Sequence, residues 1–201
     1  MVTAMTTKVP DPAQLAARLA ERAAHDAHDA SARDPSHSVA EGGQELGLRI
    51  ARNGTWFYHG SPIARKSLIR LFSTVLHRDD AGLFWLITPA EHGVIEVEDA
   101  PFTAVELTVE GTGPGQVLRF RTNVDDEVVV DEAHPIRVVF SQERGEPRPY
   151  VLVRERLEAL ILRSVYYQLV DAGEEHDIAG NRLYGVWSCG TFFPLGQAGA
   201  P

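Results

Sequence analysis

From Leu46 onward apolar and polar positions alternate in short runs, and in two places the apolar spacing lengthens to three and four residues. The segment LGLRIA alternates as a strand, Asn53-Gly54 is a dipeptide suited to a type I′ turn, and TWFYH returns as the second strand of a hairpin. Behind Pro62, the residues Leu68, Leu71, Phe72 and Val75 recur at helical spacing, predicting an amphipathic helix that ends near His77. LFWLIT and GVIEVE then read as strands around the turn PAEHG, followed by the acidic bend EDAPF. Beyond it, TAVELTV, LRFRTN, EVVVD and IRVVF read as antiparallel strands, with GTGPGQ as a turn. In VRERLEALILRSVYYQLVDAG the apolar stripe Leu157, Leu160, Ile161, Val165 and Leu169 predicts a second helix stopped by Gly173. A polar loop leads to two last strands, LYGVWS and TFFPLG.

This order divides the chain into three. Residues 1–42 carry one short helical signal in AQLAARLAERAAHDAH, then a turn-rich link, and are expected to be mostly flexible. Residues 43–100 and 101–201 each give an α+β unit of antiparallel sheet plus helix. The likeness of LIRLFSTVL to LEALILRSVYYQL predicts an internal duplication.

Composition narrows the setting. With 201 residues, 44% of them hydrophobic, there is enough apolar side chain for a core, and no run approaches membrane-span length. The opening lacks the apolar stretch of a signal peptide, and the single Cys189 excludes an intrachain disulfide; a soluble cytoplasmic protein is expected. Net charge is −9, the wrong sign for general attraction to nucleic acid. Charge is nonetheless polarised. Between Leu46 and Asp80, Arg49, Arg52, Arg65, Lys66, Arg70 and Arg78 outnumber Asp79 and Asp80, whereas Glu91 to Glu132 is strongly acidic. Such halves either pair with each other or offer a basic, aromatic surface to a single strand of nucleic acid.

Catalytic signatures are sparse. The chain has no phosphate loop, HExxH, paired CxxC or GxSxG, and GTGPG lacks the helix that would give it an anion site. Glu91, His92 and Asp99 are the acid–base candidates for a hydrolase, against surface solvation or capping of the bend by Glu98 and Asp99. Cys189 reads as a buried structural cysteine beside a turn at Gly190, and His25 and His28 as surface histidines rather than metal ligands. In TWFYH, Trp56 and Tyr58 share one face and Phe57 and His59 the other, so one face is expected to leave a large ring open.

The motifs NGTWFYHGSPIARKSLIRLFSTVL, TPAEHGVIEVEDAPF, LRFRTNVDDEVVVDEAHPIR and PRPYVLVRERLEALILRSVYYQLV, in that order, resemble the proteobacterial family catalogued as domain of unknown function 1285. The resemblance runs from about Leu46 to Gly196. It implies a two-part α+β core with a duplicated unit, a second half superficially like a pleckstrin-homology domain, and a cleft between the halves for a protein or nucleic-acid ligand. It carries over no catalytic residue, cofactor or metal. The motif positions that would border the cleft are Trp56, Tyr58, His59, Arg65, Glu91, Asp99, Arg121, Asn123, Tyr150 and Arg154. Each has a structural alternative: Arg121 and Asn123 cap a strand end, Tyr150 starts the second helix in the core, and Arg154 beside it pairs with a carboxylate. The leading expectation is a non-catalytic binding or adaptor protein. Single-stranded nucleic-acid binding and a hydrolase follow it.

Overall fold

The computed structural model describes residues 44–87, 92–141 and 145–199 and, of the first 43, only Ala17. The expected N-terminal helix apart from Ala17, the His25 and His28 pair and Glu91 therefore lie outside the described residues. The chain divides into two compact units, at Glu98 and Asp99.

The first unit holds β1 (Gln44–Ile50), β2 (Trp56–Tyr58), β3 (Ser61–Pro62), α1 (Lys66–Thr74), β4 (Leu76–Arg78), β5 (Phe84–Ile87) and β6 (His92–Val97). Two three-stranded meanders join side by side through a parallel pairing of β1 with β6, giving the order β3-β2-β1-β6-β5-β4. The alternation read in TWFYH is present, because Trp56 and Tyr58 are buried while Phe57 is half-buried. α1 forms where its spacing predicts, with Leu68 and Phe72 turned to the core, but it ends at Thr74 rather than near His77, and Leu76–Arg78 is instead a strand paired with β5. The hairpin of β1 and β2 is also present, but its turn is not type I′: five residues separate Ile50 from Trp56, and Gly54 alone, at φ 80°, adopts positive φ. Asn53 instead accepts the Thr55 N–H at 3.0 Å, an Asx turn that competes with a tight hairpin.

The second unit holds β7 (Phe102–Glu110), β8 (Val117–Thr122), β9 (Glu127–Val129), β10 (Ile136–Phe140), β11 (Pro147–Arg154), β12 (Leu157–Ile161), α2 (Arg163–Asp171), β13 (Glu174–Ile178), β14 (Asn181–Ser188) and β15 (Thr191–Gln197). Its six-stranded sheet has the order β10-β11-β12-β7-β8-β9, again two meanders joined by a parallel pair, β12 with β7. Counted from the first strand of each, the two six-stranded sheets have the same strand order. The helices do not correspond: α1 lies between the third and fourth strands of its unit, whereas α2 follows the sixth. The likeness of LIRLFSTVL to LEALILRSVYYQL is thus no sign of equivalent helices. Leu157–Ile161 is a strand in which Leu157, Ala159 and Ile161 are buried, and the helix is confined to Arg163–Asp171. A five-residue apolar run fits either period, and pairing with β11 and β7 on its two edges decides for a strand.

A three-stranded sheet, β13-β14-β15, packs with α2 against the larger sheet of this unit. The fold is α+β with two sheet-based units. β13 falls where a polar loop was expected, and its hairpin turn Ala179-Gly180 has φ 51° and 83°. The turn Cys189-Gly190, at φ 50° and 80°, joins β14 to β15 in the same manner, and His59-Gly60, at 46° and 81°, joins β2 to β3. Positive φ at both central residues is the type I′ signature, so these turns hold the geometry expected at Asn53-Gly54. Cys189 is exposed, contrary to the buried role expected of it, because a type I′ turn directs its side chains away from the strands.

Candidate functional site

Each candidate residue can be followed within its own unit. Trp56 is fully buried and stacks on Phe72 with ring centroids 6.1 Å apart; Tyr58 is also buried. Both are core residues, and α1 supplies the Phe72 ring that covers Trp56. Neither ring is open to a ligand. On the other face Arg49 lies 4.2 Å from the centre of Phe57, so the large ring expected to be bare is covered. His59 is exposed, yet its ring rests where a side chain at Gly47 would be, 2.5 Å from an added Cβ. Gly47, at φ 65°, thus leaves the space that His59 fills. Arg65 is the exposed N-cap of α1, with no side-chain hydrogen bond to the helix.

In the second unit Asp99 anchors a polar cluster on β10–β12. Its carboxylate accepts the Tyr150 hydroxyl at 2.8 Å and pairs with Arg148. Arg137 lies 4.4 Å over the Tyr150 ring and forms a two-point pair with Glu158. Burial, then the hydrogen bond to Asp99, pushes the Tyr150 phenol up to about 12. Tyr150 and Arg154 lie on β11, not at a helix start as expected, since the continuous apolar run Tyr150 to Val153 pairs on its two edges with β10 and β12. Arg154 pairs with Asp126 at 2.7 Å and lies 5.1 Å over Phe102.

The remaining candidates lie around the β8–β9 turn. Asn123 accepts the Thr103 N–H at 3.1 Å, the strand-end cap its position suggests. Arg121 binds Glu106 at 2.7 Å and Asp125 at 3.3 Å, and the Glu106 carboxylate raises the guanidinium further above its usual value. A shallow depression of about 100 Å³ is lined by Glu106, Thr108, Arg119, Phe120, Arg121 and Glu127. Its cations and carboxylates compensate one another, so it shows no net preference for either sign of ligand. Asp99, Arg121, Asn123, Tyr150 and Arg154 thus each have a partner within their own unit. His92 and Asp99 fall in different units. Among the described residues no cluster could hold a metal ion, and no helix is long and apolar enough to cross a membrane.

A surface that the candidate residues did not include is built on β13–β15. Val186, Ser188, Phe193 and Leu195 are buried on its inner face, which leaves Trp187 and Phe192, directly opposed across β14 and β15, on the outer one. His176 of β13 completes a triad with centroids 5.0 Å from Trp187 and 5.0 Å from Phe192, the latter two being 5.3 Å apart. Gly185 provides the gap: a Cβ there would lie 2.6 Å from the Phe192 ring and 2.4 Å from the Phe193 carbonyl oxygen. The Trp187 indole N–H donates to Glu174 at 2.8 Å. All three rings remain partly exposed. Taking Cys189-Gly190 as a two-residue turn would have set Trp187 opposite Phe192; the polar sequence EEHDI concealed His176.

Two family descriptions match the chain in succession: "Domain of unknown function (DUF1285), N-terminal domain" over residues 38–100 and "Protein of unknown function (DUF1285), C-terminal domain" over residues 101–195. Among solved structures, a DUF1285 family protein from Silicibacter pomeroyi DSS-3 is 43% identical, with a TM-score of 0.71 over 88% of this chain and 95% of that one. A DUF1285 family protein from Shewanella baltica OS155 is 25% identical, with a TM-score of 0.50 over 63% of this chain and 92% of that one. No curated protein matches the sequence.

Proposed function

This chain belongs to the DUF1285 family, and from that premise we propose that it is a non-catalytic binding protein whose second unit docks a protein ligand. The observation that carries the reading is the partly exposed triad His176, Trp187 and Phe192 on the outer face of a sheet whose inner face is already packed. Aromatic rings grouped on a surface carry a desolvation cost that a partner relieves, and such rings dominate the energetics of protein interfaces. In this reading the second unit resembles a pleckstrin-homology domain, with two packed sheets and an adjoining helix as support. The exposed, unpaired thiol of Cys189 suits a reducing compartment such as the cytoplasm.

The test is affinity capture from cell extract with identification of the retained protein, followed by direct titration of that protein, purified, against wild type and Phe192→Ser. Loss of at least about tenfold in affinity in the variant supports the docking face. Equal affinity, in a variant whose amide spectrum shows it folded, refutes it.

A second reading has its own observation: Arg65, Lys66 and Arg70 are exposed on or beside α1, which carries no acidic residue. A single-stranded nucleic acid held there would bind less tightly as salt rises from about 50 to 200 mM. Absence of binding to mixed oligonucleotides at the lower salt removes this reading.

A further inference from the structure

We propose that the segment docked on the outer face of β13–β15 is basic and presents arginine to the rings. The inference deepens the docking reading and rests on it. Elsewhere five of this chain's own guanidinium groups lie over aromatic rings: Arg49 on Phe57, Arg78 on Phe84, Arg137 on Tyr150, Arg154 on Phe102 and Arg163 on Tyr167, at 4.2 to 5.6 Å from the ring centres. Among the described residues, no arginine lies over His176, Trp187 or Phe192. A carboxylate stands there instead. Glu174 is exposed, its Oε1 is fixed by the indole N–H of Trp187, and its other oxygen accepts nothing from the described residues.

Charge in the surrounding chain has the same sign. Asp171, Glu174, Glu175 and Asp177 face a single nearby cation in sequence, Arg182, which is drawn to Glu175 at 3.2 Å and Asp177 at 3.9 Å. Among the described residues no cation pairs with Glu174 beside the rings. A guanidinium suits this pairing better than an ammonium, because its planar, weakly hydrated group stacks on a ring while its N–H fork meets a carboxylate. The outer face therefore has both parts of an arginine site, ring and carboxylate, and lacks the arginine.

The experiment titrates the full-length, 15N-labelled protein with three peptides of alternating glycine and a variable residue: arginine, citrulline or lysine. Citrulline keeps the shape of arginine without its charge. The expected result is movement of the Trp187 indole and the Phe192 amide signals with the arginine peptide, with about tenfold weaker binding of the citrulline peptide and intermediate binding of lysine. Glu174→Gln, an exposed substitution outside the core, should weaken the arginine peptide by a similar factor. Equal binding of the arginine and citrulline peptides, unchanged affinity in Glu174→Gln, or shifts confined to the acidic stretch Glu106 to Glu132 would each overturn the arginine assignment. None of these outcomes touches the docking reading, which stands or falls on the Phe192→Ser titration with the captured partner.

Discussion

Ser188 shows how one side chain holds two sheets together. It is fully buried at the end of β14, where its hydroxyl accepts the Leu118 N–H at 3.0 Å and donates to the Val130 carbonyl at 2.6 Å. Replacing it with alanine keeps the volume close to its original value but leaves a buried donor of the larger sheet unanswered. Ser188→Ala should therefore lower unfolding free energy by about 1–3 kcal/mol, read as a lower urea midpoint at unchanged slope. Tyr150 gives a pH-dependent counterpart. Its folded pKa of about 12 exceeds the ordinary 10.0, so the folded protein keeps the phenol proton longer than the unfolded chain does. That contribution is complete below pH 10, declines as pH rises from there, and is gone above about 12. Urea unfolding across this range should show a decline in wild type that is shallower in Tyr150→Phe.

At the scale of elements, α1 starts without assistance. Its N-cap, Arg65, makes no capping hydrogen bond, and the first turn contains no acid, so a positive side chain sits at the positive end of the helix dipole. Arg65→Asp should stabilise the first unit by about 0.5–2 kcal/mol, detectable as slower amide exchange in α1. If the second reading of function is right, the same substitution will weaken oligonucleotide binding. The type I′ turns offer a related gain, because Ala179 holds φ 51° where asparagine is the better residue; Ala179→Asn should raise stability by a few tenths to about 1 kcal/mol. These details mark where the sequence was readable. Helix α1 and the hairpin of β1 and β2 were legible because apolar periodicity is a local signal. Leu157–Ile161 was not, because its partners β7 and β11 determine its state and neither is visible in a five-residue run. The candidate site was less legible still: motif likeness selected Trp56 and Tyr58, whose burial depends on how α1 closes over β2, and passed over Trp187 and Phe192, whose exposure depends on what the inner face of their sheet already covers.

For the whole molecule, the repeated strand order of the two six-stranded sheets draws attention to the short passage between the units. Two consecutive carboxylates are fixed in opposite directions along the chain. Glu98 accepts the Arg52 N–H at 3.0 Å and pairs with Arg49, both in the first unit, while Asp99 is held by Arg148 and Tyr150 of the second. The Glu98–Asp99 peptide is therefore tethered on each side, and a protease must release at least one tether to bring it into an extended form. Endoproteinase Glu-C, which cuts after glutamate, should cleave there slowly in wild type and several-fold faster in Arg49→Ala or Arg148→Ala, giving fragments 1–98 and 99–201. Faster release in both variants at once would show that the two tethers act on the same opening; cutting at the wild-type rate in each would show that neither restrains it. Acid supplies an independent check on the first tether. The Arg52 amide, followed by Arg49, holds the Glu98 carboxyl below its ordinary 4.5, so the anchor is complete above that value and is lost as pH falls through the lowered one. Amide exchange at Arg52 should accelerate over that interval relative to its neighbours, and Glu98→Gln should show the faster exchange already at neutral pH.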